Sequence, residues 1–228
     1  MNPASRRARL GRWRALAERT GYTSGNCRKH LNRNPVQRLL IDRFLSVVGE
    51  LVAEARPTRV LDVGCGEGFT ADFLRDRLPG LRIDGIDLDV GALLTARAVD
   101  ARFPAVCGSA AALPVASGSY DLVLCNEVLE HVADPRAVLA EVQRVARSHC
   151  VLSVPHEPWF RLLNFCRGRN LTRWGNDIEH LHNWSTTGFA DLVAGELTVV
   201  RVERSLPWTI VLAACRPQAR PASPRSWT

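Results

Sequence analysis

Residues able to move a proton or hold a cation gather in two parts of this 228-residue chain. "NEVLEHV" (126–132) offers Glu127, Glu130 and His131, while "SVPHEPWF" (153–160) and "GNDIEHLHNW" (175–184) add His156, Glu157, His180 and His182. An imidazole titrates near working pH, so it suits the removal of a proton from an alcohol or phenol. Carboxylates grouped with imidazoles also suit a divalent cation. A third stretch, "VLDVGCGEGF" (60–69), does a different job. Its glycines at 64, 66 and 68 form a turn that lets something approach the backbone closely. Some twenty residues on, "GIDLD" (85–89) ends in Asp87 and Asp89. Asp89 is the better placed of the two to cap the following helix, which leaves Asp87 free for a ligand.

The elements that position these groups alternate. "NPVQRLLIDRFLSVVGELVAEA" reads as a helix with Asn34 as N-cap and Pro35 at the first helical position. "TRVLDV" (58–63) is an apolar strand, followed by the glycine turn and a helix to about Leu78. "LRIDGID" (81–87), "FPAVCG" and "YDLVLCN" (120–126) are further strands, with "VGALLTARAVD" a helix between the first two. "DPRAVLAEVQRVAR" is a helix capped by Asp134, and "HCVLSVP" (149–155) is the fifth strand. Continuous apolar strands separated by amphipathic helices indicate a parallel sheet covered on both faces. The ending differs: "LTVVRVERS" and "WTIVLAACR" are separated only by "LP", a link long enough for a hairpin and too short for a parallel crossover.

With 46% hydrophobic residues the chain suits one compact core. No apolar run reaches the ~20 residues of a membrane-spanning helix, and the N-terminus lacks the apolar core of a secretory signal. Seven cysteines, without a Cys-x-x-Cys pair, point to a reduced, cytoplasmic setting. The net charge of +7 is concentrated at the termini, with six arginines among residues 1–20 and three in "CRPQARPASPRSWT". That distribution reads as solvated tails and speaks against a nucleic-acid partner. Leu10, Trp13 and Leu16 fall on one side of a basic helix, which leaves a peripheral membrane contact open. Residues 1–33 therefore form a basic N-terminal segment of unsettled order, 34–215 the main domain and 216–228 a disordered tail. Within the domain, 155–185 is long for a connection and reads as an acceptor or lid insertion.

The glycine spacing separates two cofactor classes. A dinucleotide turn needs its third glycine at the sixth position, where this chain has Phe69, and a phosphate loop needs Gly-Lys-Ser/Thr. Gly64-x-Gly66-x-Gly68 after "LDV" instead resembles the first motif of the class I S-adenosylmethionine-dependent methyltransferases. "GIDLD", "ALPVASGSYDLVLCNEVLEHVADP", the terminal hairpin and "EHLHNWSTTGFADLVAG" extend the resemblance over residues ~34–214. It implies a Rossmann-like, doubly wound α/β fold with a seven-stranded sheet, mostly parallel and closed by an antiparallel hairpin. It also implies that S-adenosyl-L-methionine is held by Asp62, Gly64, Cys65, Gly66, Gly68, Asp87, Leu88, Ser109, Ala110 and Asn126, with Asp87 on the ribose hydroxyls. Where the family usually shows Gly-Asp-Ala, this chain reads Gly108-Ser109-Ala110, so the adenine end loses a charge.

Methyl transfer from a sulfonium is an in-line displacement, and the acceptor must stand at the carboxyl ends of the fourth and fifth strands. His131 is the expected general base, with Glu130 and His180 beside it. Glu-x-x-Glu-His with a distant His also resembles the divalent-metal set of small-RNA 2′-O-methyltransferases, and its first part that of ubiquinone-type O-methyltransferases. On that reading Glu127, Glu130, His131 and His180 hold a metal; on the plainer one they cap, pack or orient. The acceptor is expected to be a small or lipid-linked hydroxylated molecule such as a secondary metabolite, sugar or quinone precursor. The alternatives are an RNA methyltransferase with a metal and a non-catalytic cofactor-binding partner subunit. The oligomeric state stays open.

Overall fold

The computed structural model describes residues 3–22, 24–156 and 180–217. Its centre is a seven-stranded sheet in the order β3-β2-β1-β4-β5-β7-β6. The parallel strands are β1 (Arg59–Val63), β2 (Arg82–Asp87), β3 (Ala105–Cys107), β4 (Tyr120–Asn126) and β5 (Ala146–Pro155). β6 (Thr198–Ser205) and β7 (Trp208–Ala214) form the hairpin, and β7 inserts antiparallel between β5 and β6. Strand order reverses between β1 and β4, the place where open sheets of this kind bind ligands at their carboxyl edge.

The helices follow their caps. α3 (Pro35–Ala55) starts where the Asn34 side chain accepts the amides of Val36 and Gln37, at 2.9 and 3.2 Å. α5 (Val90–Val99) is capped by Asp89, and α6 (Pro135–Val145) by Asp134. Each carboxylate or amide oxygen satisfies backbone donors that the helix itself cannot. α3, α4 (Phe69–Arg77) and α5 face one apolar cluster with Val60, Leu122 and Leu212 at its floor. α6 and α7 (Thr186–Glu196) close the opposite face over Leu61, Val123 and Val211.

Two N-terminal helices stand outside this frame: α1 (Pro3–Thr20) and α2 (Gly25–His30). Leu10, Trp13 and Leu16 are 7, 3 and 4% exposed, so the apolar side of α1 is used up inside the molecule and is not offered to a lipid surface. Trp13 packs on Phe69, with ring centroids 4.2 Å apart, and donates its indole N–H to Asp72 at 2.8 Å. At the other end, Arg216 is tied down, donating to the carbonyls of Gly195 (2.9 Å) and Ala194. Residues 218–228 of the expected tail, and 157–179 of the expected insertion including Glu157, lie outside the described residues. No helix among the described residues is long and apolar enough to cross a membrane.

Candidate active site

A cavity of about 820 Å³ opens at the carboxyl edge of β1, β2 and β4. The glycine turn forms part of its wall. Gly64 adopts φ +72°, and a Cβ there would stand 2.2 Å from Val128 Cγ2, so both backbone and packing demand glycine. Asp87 braces the turn: its Oδ2 accepts the Gly66 amide at 2.7 Å and its Oδ1 the Asp89 amide at 2.8 Å. Each carboxylate oxygen keeps a further lone pair for a ligand hydroxyl. Asp89 caps α5 through the Ala92 amide, 3.1 Å away.

Of the expected cofactor residues, Asp62, Gly64, Cys65, Gly66, Asp87 and Asn126 line this cavity. Gly68, Leu88, Ser109 and Ala110 do not. Gly68 faces the Phe103 ring, Leu88 is 70% exposed, and the Ser109 hydroxyl accepts the amide of Ala111 at 3.2 Å. The wall carries buried polar atoms without a hydrogen-bond partner: Asp62 Oδ2, Asn126 Nδ2 and both carboxylate oxygens of Glu130. Unpartnered buried polar groups are costly in a folded chain, and a row of them along one cavity suits a polar ligand. Burial, helped by the Asp87 charge, pushes the Asp62 carboxyl up to about 7.

The second half of the cavity collects the proton-handling groups. After β4 the chain turns through Glu127, at φ +54°, into a single 3-10 turn, Leu129–His131. Glu130 is 1% exposed, and burial together with the Glu127 charge holds its carboxyl well above the usual range. Its backbone carbonyl accepts the amides of Leu181 (2.8 Å) and His182 (3.3 Å), which brings His180 back over the turn. The His131 and His180 rings meet edge-on, 5.1 Å between centroids. One ligand atom each from Glu130, His131 and His180 lies within 4.8 Å of the others, so these three fit a divalent ion with one oxygen and two nitrogen donors.

Glu127 does not join that group. Its two oxygens are taken by the Lys29 ammonium and the Trp208 indole N–H. Burial alone would raise its carboxyl, but the Lys29 charge, the hydrogen bonds from Lys29 and Trp208 and the His180 charge together hold the group below its ordinary value. His156 and His182 are also occupied elsewhere: His156 Nδ1 meets Thr186 Oγ1 at 3.2 Å, and His182 Nε2 meets the Val132 carbonyl at 3.0 Å.

The larger omission of the sequence reading is α2, which crosses the cavity as a strap. Ser24, Asn26 (2.6 Å) and Cys27 (3.6 Å) all donate to the buried carboxylate of Glu67, inside the glycine turn. His30 stacks on Phe69 at 4.5 Å between centroids, and Lys29 reaches Glu127. The available signals were Ser24 as a helix cap and an acid at position 67 where a turn needs only a small residue.

Residues 61–154 match the family model "Methyltransferase domain". A malonyl-[acyl-carrier protein] O-methyltransferase of Laribacter hongkongensis is 38% identical over 123 residues, covering 49% of this chain and 41% of that protein. A ubiquinone biosynthesis O-methyltransferase of Chromobacterium violaceum is 38% identical over 114 residues, 46% of this chain and 44% of that protein. The chain thus spans about half the length of the curated relatives it matches, or less. Among solved structures, the methyltransferase domain of bacterial CtHen1 overlays with a TM-score of 0.61 at 20% identity, over 77% of this chain and 98% of that one. The magnesium protoporphyrin IX methyltransferase of Synechocystis, solved with bound S-adenosylhomocysteine, overlays at 0.58 and 20% identity, over 91% and 94%. The glycine turn, the β7 insertion and the match agree: residues 61–154 are similar to a methyltransferase domain, and the sheet has the fold of the solved methyltransferases it overlays.

Proposed function

We propose that the chain transfers a methyl group from S-adenosylmethionine to an oxygen of a small or lipid-linked hydroxylated molecule. The observation that carries this reading is the row of unpartnered buried polar atoms from Asp62 through Asn126 to Glu130, along a single cavity. It runs from the glycine turn, where a cofactor is held, to the histidines, where an acceptor loses its proton.

The cofactor supplies an electrophilic methyl on a positively charged sulfur. The chain's part is to hold the acceptor oxygen opposite that sulfur and to take its proton. His131 is the exposed imidazole of the cluster and the general base. With the cofactor bound, the methyl would be released to the acceptor's lone pair with the bonding electrons kept by sulfur, and the His131 imidazole would take the acceptor proton. Glu130, buried beside it with a raised pKa, helps set the proton balance of the cluster. A second reading keeps the same transfer and adds a divalent ion on Glu130, His131 and His180; their mutual approach favours it. An ion there would polarise the acceptor hydroxyl.

Incubation with methyl-labelled cofactor and a cell extract tests the reading. Label is expected in the small-molecule or lipid fraction. Label found in RNA alone would refute the acceptor class, and calorimetric heat from a nicotinamide dinucleotide with none from S-adenosylhomocysteine would refute the cofactor.

A further inference from the structure

Three features outside the proton-handling cluster have no role so far: the Cys150–Cys215 pair on β5 and after β7, the exposed face of β6, and the Lys29–Glu127 ion pair. The first two present no ligand-shaped surroundings. The third stands in the wall of the cavity.

Lys29 sits on α2 and Glu127 follows Asn126 directly at the end of β4, so the pair joins the strap to the sheet edge. The ammonium lies 4.9 Å from the centroid of the Trp208 ring and 6.0 Å from that of Phe44. Both faces exclude water from the cation and attract it. Trp208 also holds Glu127, so the carboxylate that aims Lys29 is itself fixed. Glu127 engages one direction of the ammonium, which has three donors in all. The unpartnered Asn126 Nδ2 and Asp62 Oδ2 belong to residues that line the same cavity as Lys29. Donor, cation and acid together form a complement to an amino-acid zwitterion: an acid for its ammonium, and a cation with an amide for its carboxylate.

We propose that Lys29, aimed by Glu127, binds the α-carboxylate of the cofactor's amino-acid end. The proposal rests on the cofactor reading above and adds to it a contact from outside the matched domain. The strap would then be part of the binding site itself. Gln37 supports the same placement, donating its side-chain amide to the Lys29 carbonyl at 3.2 Å from the start of α3.

The test compares two ligands by calorimetry on the full chain. S-adenosylhomocysteine carries the amino-acid end; 5′-methylthioadenosine lacks it. Lys29→Met is expected to weaken S-adenosylhomocysteine by about ten- to a hundredfold, the loss of one charge-assisted bond, and to leave methylthioadenosine unchanged. Lys29→Arg should keep most of the affinity. The double variant Lys29→Met with Glu127→Gln should show the same selective loss, which separates a missing cation from an uncompensated Glu127. Equal weakening of both ligands would mean that α2 is merely unseated, and would overturn the proposal. So would unchanged affinity in Lys29→Met, or a selective loss in Arg28→Gln alone. Failure of both ligands to bind the unaltered chain would bring down the cofactor reading, and this proposal with it.

Discussion

Asp62→Asn separates what the site costs the fold from what it does for the ligand. The Asp62 carboxyl is 2% exposed, has an unpartnered oxygen and is pushed up to about 7 by burial and by the Asp87 charge. Its unfolded value is about 3.9. A carboxyl whose folded pKa lies above its unfolded one favours folding while protonated, so this contribution is complete below about pH 4 and is lost as pH rises through about 7. Three units at about 1.36 kcal/mol each make the loss about 4 kcal/mol. The asparagine cannot ionise but leaves a buried N–H to satisfy, costing about 1–3 kcal/mol. The variant should therefore be somewhat less stable than the parent at pH 4 and more stable by about 1–3 kcal/mol at pH 8. At about 2–4 °C per kcal/mol for a chain of this size, thermal unfolding resolves that crossover. In the parent, S-adenosylhomocysteine should bind more tightly as Asp62 ionises, and Asp62→Asn should flatten this rise. A stability difference that does not change between pH 4 and 8 would refute the burial argument.

Three further outcomes follow from the geometry. Gly64→Ala should destabilise by about 2–5 kcal/mol, combining a left-handed backbone with overpacking against Val128. In a double-mutant cycle Val128→Ala should recover at least about 1 kcal/mol of it, whereas additive losses would show that the contact is not the cause. His131→Ala should lower turnover by about 10²–10⁴-fold while S-adenosylhomocysteine affinity holds, the signature of a lost base; unchanged turnover would remove His131 from the mechanism. Dialysis against a chelator should leave turnover intact if Glu130, His131 and His180 work as acid and base, and abolish it, with rescue by a divalent ion, if they hold a metal.

What the sequence made legible was local or periodic. The caps at Asn34, Asp89 and Asp134 were readable because a short polar side chain must satisfy the next free amides. β4 was readable as residues 120–126 because a strand buried on both faces is continuously apolar. The junction of α6 and β5 was not. The helix stops at Val145 and the strand starts at Ala146, earlier than the apolar pattern suggests. There Arg147 pairs with Asp121 on the neighbouring strand at 3.1 Å, and the β4–β5 register shifts between Tyr120 and Leu122. A contact between elements decides that boundary, and no local signature announces it.

The same distinction explains the active site. The residues of β1, β2 and β4 that line the cavity stand next to glycines and strand ends, so their positions follow from the chain's own rhythm. Glu127 was readable as a metal-ligand candidate but not as an acceptor already engaged, because its partner Lys29 lies 98 positions away and its other partner, Trp208, 81 positions away. Likewise Glu67 gave no sign that it would anchor Ser24, Asn26 and Cys27 across forty residues or more. Both acids are held by the same six-residue helix, one from the glycine turn and one from the end of β4. A buried carboxylate is tolerated only with donors around it. The acids therefore require α2 to sit across the cavity as much as α2 requires them: without it Glu67 would lose its three side-chain donors, and Glu127 would face Glu130 without the Lys29 cation. The strap supplies the donors and the cation that complete the charge balance of the site, and its own residues line the cavity, so α2 belongs to the site rather than to its surroundings.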